Sequence, residues 1–147
     1  MEESVDNSLN LIKLCVGAEK VQDLIDWQKT PRARGPDGMP RHVTRMWPKR
    51  AEEILAGGSM YWVIQGVLQA RQRIIGFDEK IGTDGIRRCG ICLDPEIIRT
   101  EPVRRRPFQG WRYFDPADVP ADLTGARAAD LSVPPKLMAA LAEIGVR

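Results

Sequence analysis

At 147 residues, with 43% hydrophobic and 29% charged residues and a net charge of +2, the chain has the make-up of one globular domain with its own core. No apolar run is long enough for a membrane-spanning helix, and the acidic start MEESVDNSLN lacks the basic and apolar regions of a secretion signal. Three cysteines without disulfide-framework spacing agree with a reducing compartment, so the expected location is the cytoplasm.

Residues 1–8 are expected as a disordered tail and residues 9–147 as a single domain. The apolar stretch from Leu9 to Gly17 predicts a strand. A helix is predicted over Ala18 to Lys29, where Val21, Leu24, Ile25 and Gln28 fall on one face. Thr30 to His42, with three prolines and two glycines, predicts an exposed loop. A second helix is predicted from Pro48, with Ala51, Ile54 and Leu55 as its buried stripe and Gly57-Gly58 as its stop.

Ser59 to Ile75 fits a helix or a strand, and β-branched and aromatic enrichment favours strand, with Gly66 as a bulge or break. That reading puts Trp62, Ile64, Leu68, Ala70 and Ile74 on one side, and Tyr61, Val63, Gln65, Gln69, Arg71 and Arg73 on the other. Asp78 to Gly85 predicts a turn and Ile86 to Leu93 the returning strand. Short strands are predicted at Glu96 to Thr100 and Phe108 to Phe114, and a final helix near Pro134 to Ile144. Strands not separated by helices give an α+β class. The expected architecture is a mainly antiparallel sheet flanked by about three helices, with barrel-like closure left open.

No reaction is legible in the motifs. Cys89-Gly90-Ile91-Cys92 is a CxxC, but inside a strand its thiols point to opposite faces. Cys15, His42, Cys89 and Cys92 are the only combination that could supply four zinc ligands with the single histidine, and their spacing matches no zinc knuckle. There is no GxSxG, no phosphate-binding glycine loop and no carboxylate pair singled out by spacing. No catalytic residue, cofactor or metal is assigned.

Charge distribution is more informative. From Arg41 to Arg112 there are 14 Lys and Arg against 8 Asp and Glu, so the middle of the chain is basic and its ends are acidic. Arg45, Trp47, Lys49 and Arg50 gather before a helix, Arg71 and Arg73 share a strand face, and Arg104, Arg105 and Arg106 precede Trp111, Arg112 and Tyr113. Fixed positive charge grips phosphate, and flat rings stack on bases. These residues are the expected contacts of a non-enzymatic nucleic-acid-binding module, RNA in particular. A protein-interaction domain, and an enzyme or ligand binder with an anion pocket near Arg45 and Lys49, are the alternatives. Phe108 and Phe114 are expected to be buried, and Trp111 and Tyr113 to face a partner.

Five blocks, LIKLCVG, TRMWPKRAEEIL, GGSMYWVIQGVLQARQRI, DGIRRCGICLDPE and RRRPFQGWRYF, together resemble a bacterial family known as domain of unknown function 1489, typical of Alphaproteobacteria. The resemblance covers nearly the whole chain from Leu9 and implies a single-domain cytoplasmic protein. It supplies no activity, cofactor or site residue. The order of elements is also similar in shape to the PUA and ASCH group of small RNA-associated barrels.

Overall fold

The computed structural model describes residues 8–123. Residues 1–7 and the helix predicted near Pro134 lie outside the described residues. Seven strands form one sheet: β1 (Asn10–Leu14), β2 (Arg41–Thr44), β3 (Ser59–Ile64), β4 (Val67–Ile81), β5 (Arg87–Leu93), β6 (Ile98–Arg104) and β7 (Trp111–Phe114). Helix α1 (Val21–Gln28) follows β1, and helix α2 (Ala51–Leu55) precedes β3. Short 3-10 turns lie at Pro31–Ala33 and Pro116–Asp118. The α+β class holds, with two α-helices among the described residues.

The strand order is β2-β5-β4-β3-β1-β7, with β6 paired to β4 off this path. The order begins at β2 and ends at β7, so the sheet is open rather than barrel-like. All pairings are antiparallel except β1 with β3, which the intervening helices make possible as a crossover. β4 is the spine. Its first half pairs with β3 and β6, and its second half with β5.

Local chemistry accounts for the hairpins. Gln65 and Gly66 both have positive φ, 52° and 78°, and Ile64 pairs with Val67 across them. That is a two-residue turn of type I′, whose twist matches the strands it joins. Gly66 is therefore a turn residue, not a bulge. The bulge lies one step further on, where Trp62 faces Ala70 but Val63 faces Leu68. The two-residue turn, by facing Ile64 with Val67, already puts Leu68 beside Val63 on the face opposite to the expected one, and the extra residue Gln69 then returns Ala70 to the Trp62 side. Pro102 is tolerated because it falls in the register break of β6 against β4, between Val103 opposite Leu68 and Arg99 opposite Ala70, where no ladder pairing calls on its missing N–H.

Both faces of the sheet are apolar around β1, β3 and β7. One carries the main core: Leu11, Met60, Trp62, Ile64, Ala70, Ile74 and Trp111 pack with Val21 and Leu24 of α1, Ile54 of α2, and Cys89, Ile91 and Leu93 of β5. The other carries Ile12, Tyr61, Val63, Leu68 and Phe114, with Phe108, Val103 and Val119 packed against them.

Two expectations about chain path are corrected. Arg41 and His42, read as the end of a loop, form a strand opposite Cys92 and Ile91. The second helix begins at Ala51 rather than Pro48, after an Arg50 N-cap with φ −103° and ψ 39°, and the backbone N–H groups of Lys49 and Arg50 ahead of it donate to the Tyr113 hydroxyl at 2.9 and 3.2 Å.

Candidate nucleic-acid interface

The expected basic–aromatic residues divide between the two faces of the sheet. On the main-core side, Trp111 lies opposite Lys13 of β1 and Tyr113 opposite Leu11. Trp111 is 5% exposed and its Nε1–H donates to the Met46 carbonyl at 2.9 Å. The expectation that it faces a partner is overturned: the segment after β2 closes over it. Tyr113 stays half-exposed, with the Arg50 guanidinium 5.5 Å from its ring centroid. Arg50 is also held by both oxygens of Glu53, at 2.9 and 2.7 Å. Trp47 is half-buried against the main core and carries the Arg87 guanidinium 4.3 Å above its ring. Arg45 and Lys49 are exposed.

The remaining arginines, apart from Arg104, belong to the other face and its rim; Arg104 alternates with Val103 onto the main-core side. Arg71 and Arg73 lie opposite Tyr61 and Ser59. Arg71 is clamped by the Asp122 carboxylate, at 2.8 Å to each oxygen, and also donates to the Ser59 hydroxyl. It lines a cleft of about 350 Å³ with Asn10 and Tyr61. Arg104 lies opposite Val67, and the Arg105 backbone N–H donates to the Gly66 carbonyl. The Arg105 guanidinium sits 5.4 Å from the Phe114 ring, and that of Arg112 sits 4.7 Å from the Phe108 ring. Phe114 is buried as expected, whereas Phe108 is only half-buried beneath Arg112. Arg106 is exposed.

Electrostatic pairing separates these arginines. Arg41, Arg50, Arg71, Arg87 and Arg88 each face a carboxylate. Arg105, Arg106 and Arg112 form no ion pair among the described residues, and no Asp or Glu occurs from Arg104 to Phe114. Two of these three guanidiniums lie over aromatic rings, which fixes a cation without neutralising it.

The cysteines form no reactive centre. Cys89 packs in the main core with Ile91 and Leu93, and Cys92 points to the opposite side, where Arg41 lies across from it. All three thiols are unpaired, and burial pushes Cys15 and Cys89 up to about 11, the reverse of what a nucleophilic thiol needs. Among the described residues no three His, Cys, Asp or Glu side chains gather as metal ligands, so Cys15, His42, Cys89 and Cys92 do not assemble.

Sequence reasoning passed over Lys13, and it weighed His42 only as a metal ligand. Alternation along Asn10–Leu14 places Lys13 on the same face as Leu11, a charge directed toward the core. His42 meets Trp62 edge to face at 5.6 Å, and its Nε2 is buried without a hydrogen-bond partner among the described residues. Burial, with the nearby Lys13 ammonium, brings the imidazole down to about 4. An imidazole that takes up a proton less readily when folded stabilises the fold above the ordinary histidine value of 6.5, and that contribution is lost as pH falls from there to about 4. We expect about 3 kcal/mol of stability to disappear across this window through His42. Urea titrations at stepped pH, repeated on His42→Phe, check this: the variant's profile should be flatter between pH 6.5 and 4.

A strand-rich α+β domain with an arginine–aromatic rim is the class that fold and surface define. A family described as "Protein of unknown function (DUF1489)" matches residues 11–147, and the chain belongs to that family. Comparisons with curated proteins and with solved structures gave no match.

Proposed function

We propose that this domain is a non-enzymatic module that binds single-stranded nucleic acid, RNA in particular, through the rim formed by residues 104–114. The observation that carries the reading is the set Arg105, Arg106 and Arg112, which form no ion pair among the described residues, with Arg105 over Phe114 and Arg112 over Phe108. Phosphates would take the guanidiniums, and bases would replace them over the half-buried Phe108. Arg73 extends the basic surface on the same side of the sheet. The unpaired cysteines suit a reducing compartment, and no described helix is long and apolar enough to cross a membrane. The likeness to PUA and ASCH domains adds a shape-level argument of the same kind, now limited by an open sheet.

Labelled single-stranded RNA and DNA titrated across a salt series test the proposal. Affinity should fall linearly with log salt. The double variant Arg105→Glu, Arg112→Glu should bind at least about tenfold more weakly, with a salt slope smaller by about 2. Undetectable binding at low salt, or binding indifferent to salt, sinks the reading.

A further inference from the structure

The main-core face of the sheet holds a second arrangement, independent of the arginine rim. Lys13 lies directly opposite Trp62 of β3 on one side and Trp111 of β7 on the other. A lysine is thus set between two indoles across three adjacent strands, where cross-strand neighbours stand about 5 Å apart. His42 approaches from β2, its ring edge-on to Trp62 at 5.6 Å and near enough for the Lys13 charge to be felt.

The segment after β2 bridges this region. Thr44 lies opposite Cys89 of β5, the Met46 carbonyl accepts from Trp111, and the Lys49 N–H donates to Tyr113. Trp47 lies on that bridge, half-buried, packed against the same core.

The polar atoms here are under-used. Among the described residues, His42 Nε2 and Trp47 Nε1 are buried with no hydrogen-bond partner, and Lys13 Nζ has only a long contact, 3.4 Å, to the carbonyl of its own neighbour Leu14. Buried polar nitrogens are nearly always paired in folded proteins, so two orphans beside a poorly satisfied ammonium are free to meet a polar partner from outside the described residues. The surrounding surfaces are flat π systems, so the complementary object is flat as well. The ammonium disfavours a cationic guest and favours ring oxygens and nitrogens.

We propose that Lys13, His42 and Trp47 form a site for a flat heteroaromatic ring bearing hydrogen-bond acceptors, of the nucleobase class. Trp47 and Lys13, the half-exposed members, form its mouth, and Trp62 and Trp111 its floor. The Trp47 N–H and Lys13 ammonium donate to carbonyl or ring-nitrogen acceptors, and the neutral His42 imidazole serves as donor or acceptor according to its tautomer.

Free uridine, cytidine, adenosine and guanosine titrated into the full chain, read by quenching of tryptophan fluorescence, test the site, with ribose as the control. At least one nucleoside should quench saturably, and ribose should not. Trp47→Phe keeps a ring and removes the N–H, and Lys13→Met keeps the stem and removes the charge. Each should raise the half-saturating concentration roughly tenfold while circular dichroism stays unchanged. Arg105→Glu, Arg112→Glu should bind nucleoside as the parent does. Absence of saturable quenching up to about 10 mM overturns the site, as does quenching that neither Trp47→Phe nor Lys13→Met weakens. Loss of nucleoside binding in the arginine double variant would overturn it too, because that result places the ring on the opposite face of the sheet.

Discussion

Replacing Gly58 by alanine is expected to lower the unfolding free energy by about 4 kcal/mol, beyond the usual cost of overpacking. A Cβ on Gly58 would lie 2.0 Å from the Leu9 carbonyl oxygen and 2.8 Å from that of Ile54. Both neighbours are backbone, so no side-chain rotation relieves the clash. Gly58 is also fixed on both sides. Its N–H donates to Ile54 at 2.6 Å, closing α2, and its carbonyl accepts from the Ile74 N–H at 3.0 Å, opening the β3–β4 pairing. Relief would require β1 to move away from α2 just where Leu9, Leu11 and Ile54 are buried together. Gly76→Ala is the internal control. Its Cβ would meet only Cys92 at 3.9 Å, an ordinary contact, and the substitution should change stability by less than about 1 kcal/mol. Urea denaturation of both variants decides the matter: equal midpoints would show that the close approach of Leu9 is not a constraint.

Gly58 also illustrates what the sequence could and could not disclose. The Gly57-Gly58 stop was legible as a helix end. The approach of Leu9, nearly fifty residues earlier, was not, because it depends on the parallel pairing of β1 with β3. The alternation of Tyr61 to Ile64 was read correctly, since a strand's two faces follow from local geometry. Leu68 lies on the other face because the two-residue turn at Gln65-Gly66 reverses the parity, which the bulge at Gln69 restores for Ala70 and Ile74.

The site residues follow the same pattern. In Trp111-Arg112-Tyr113-Phe114 the grouping of Trp111 with Tyr113 was right, and their rings do meet, 5.1 Å apart. Which face lies inward was decided by tertiary contacts, the bridge from Thr44 to Arg50 covering Trp111. The charge run Arg104 to Arg106 was visible as a cluster. That Arg71 and Arg50 are neutralised by Asp122 and Glu53, whereas Arg105 and Arg112 meet no carboxylate among the described residues, is a matter of spatial pairing that spacing alone does not show. Lys13 was hidden for the opposite reason: in a five-residue apolar strand a single lysine reads as an edge residue until its two tryptophan neighbours are known.

Gln72→Leu should cost about 4 kcal/mol although leucine matches the volume of the side chain it replaces. Gln72 is fully buried on the main-core side of β4. Its Oε1 accepts from Gln28 Nε2 at 2.9 Å and from Trp62 Nε1 at 3.0 Å, and its amide donates to the Asp94 carbonyl at 2.9 Å and to Gln28 Oε1. One side chain thus joins the end of α1, strand β3 and the corner where β5 gives way to β6. Leucine would leave the buried Trp62 N–H and Gln28 amide and the part-buried Asp94 carbonyl without these partners, the buried groups at about 1–3 kcal/mol each before relaxation. The penalty belongs to the stranded groups rather than to lost packing, so removing a second member should recover part of it. In a double-mutant cycle, Gln28→Leu with Gln72→Leu should cost at least about 1 kcal/mol less than the sum of the single variants. Additive effects would mean that the two glutamines contribute separately and that no buried network ties α1 to the sheet. Amide exchange at Asp94 to Ile97 gives an independent reading. If Gln72 holds the β5–β6 corner, those amides should lose protection in Gln72→Leu before the β3–β4 hairpin does.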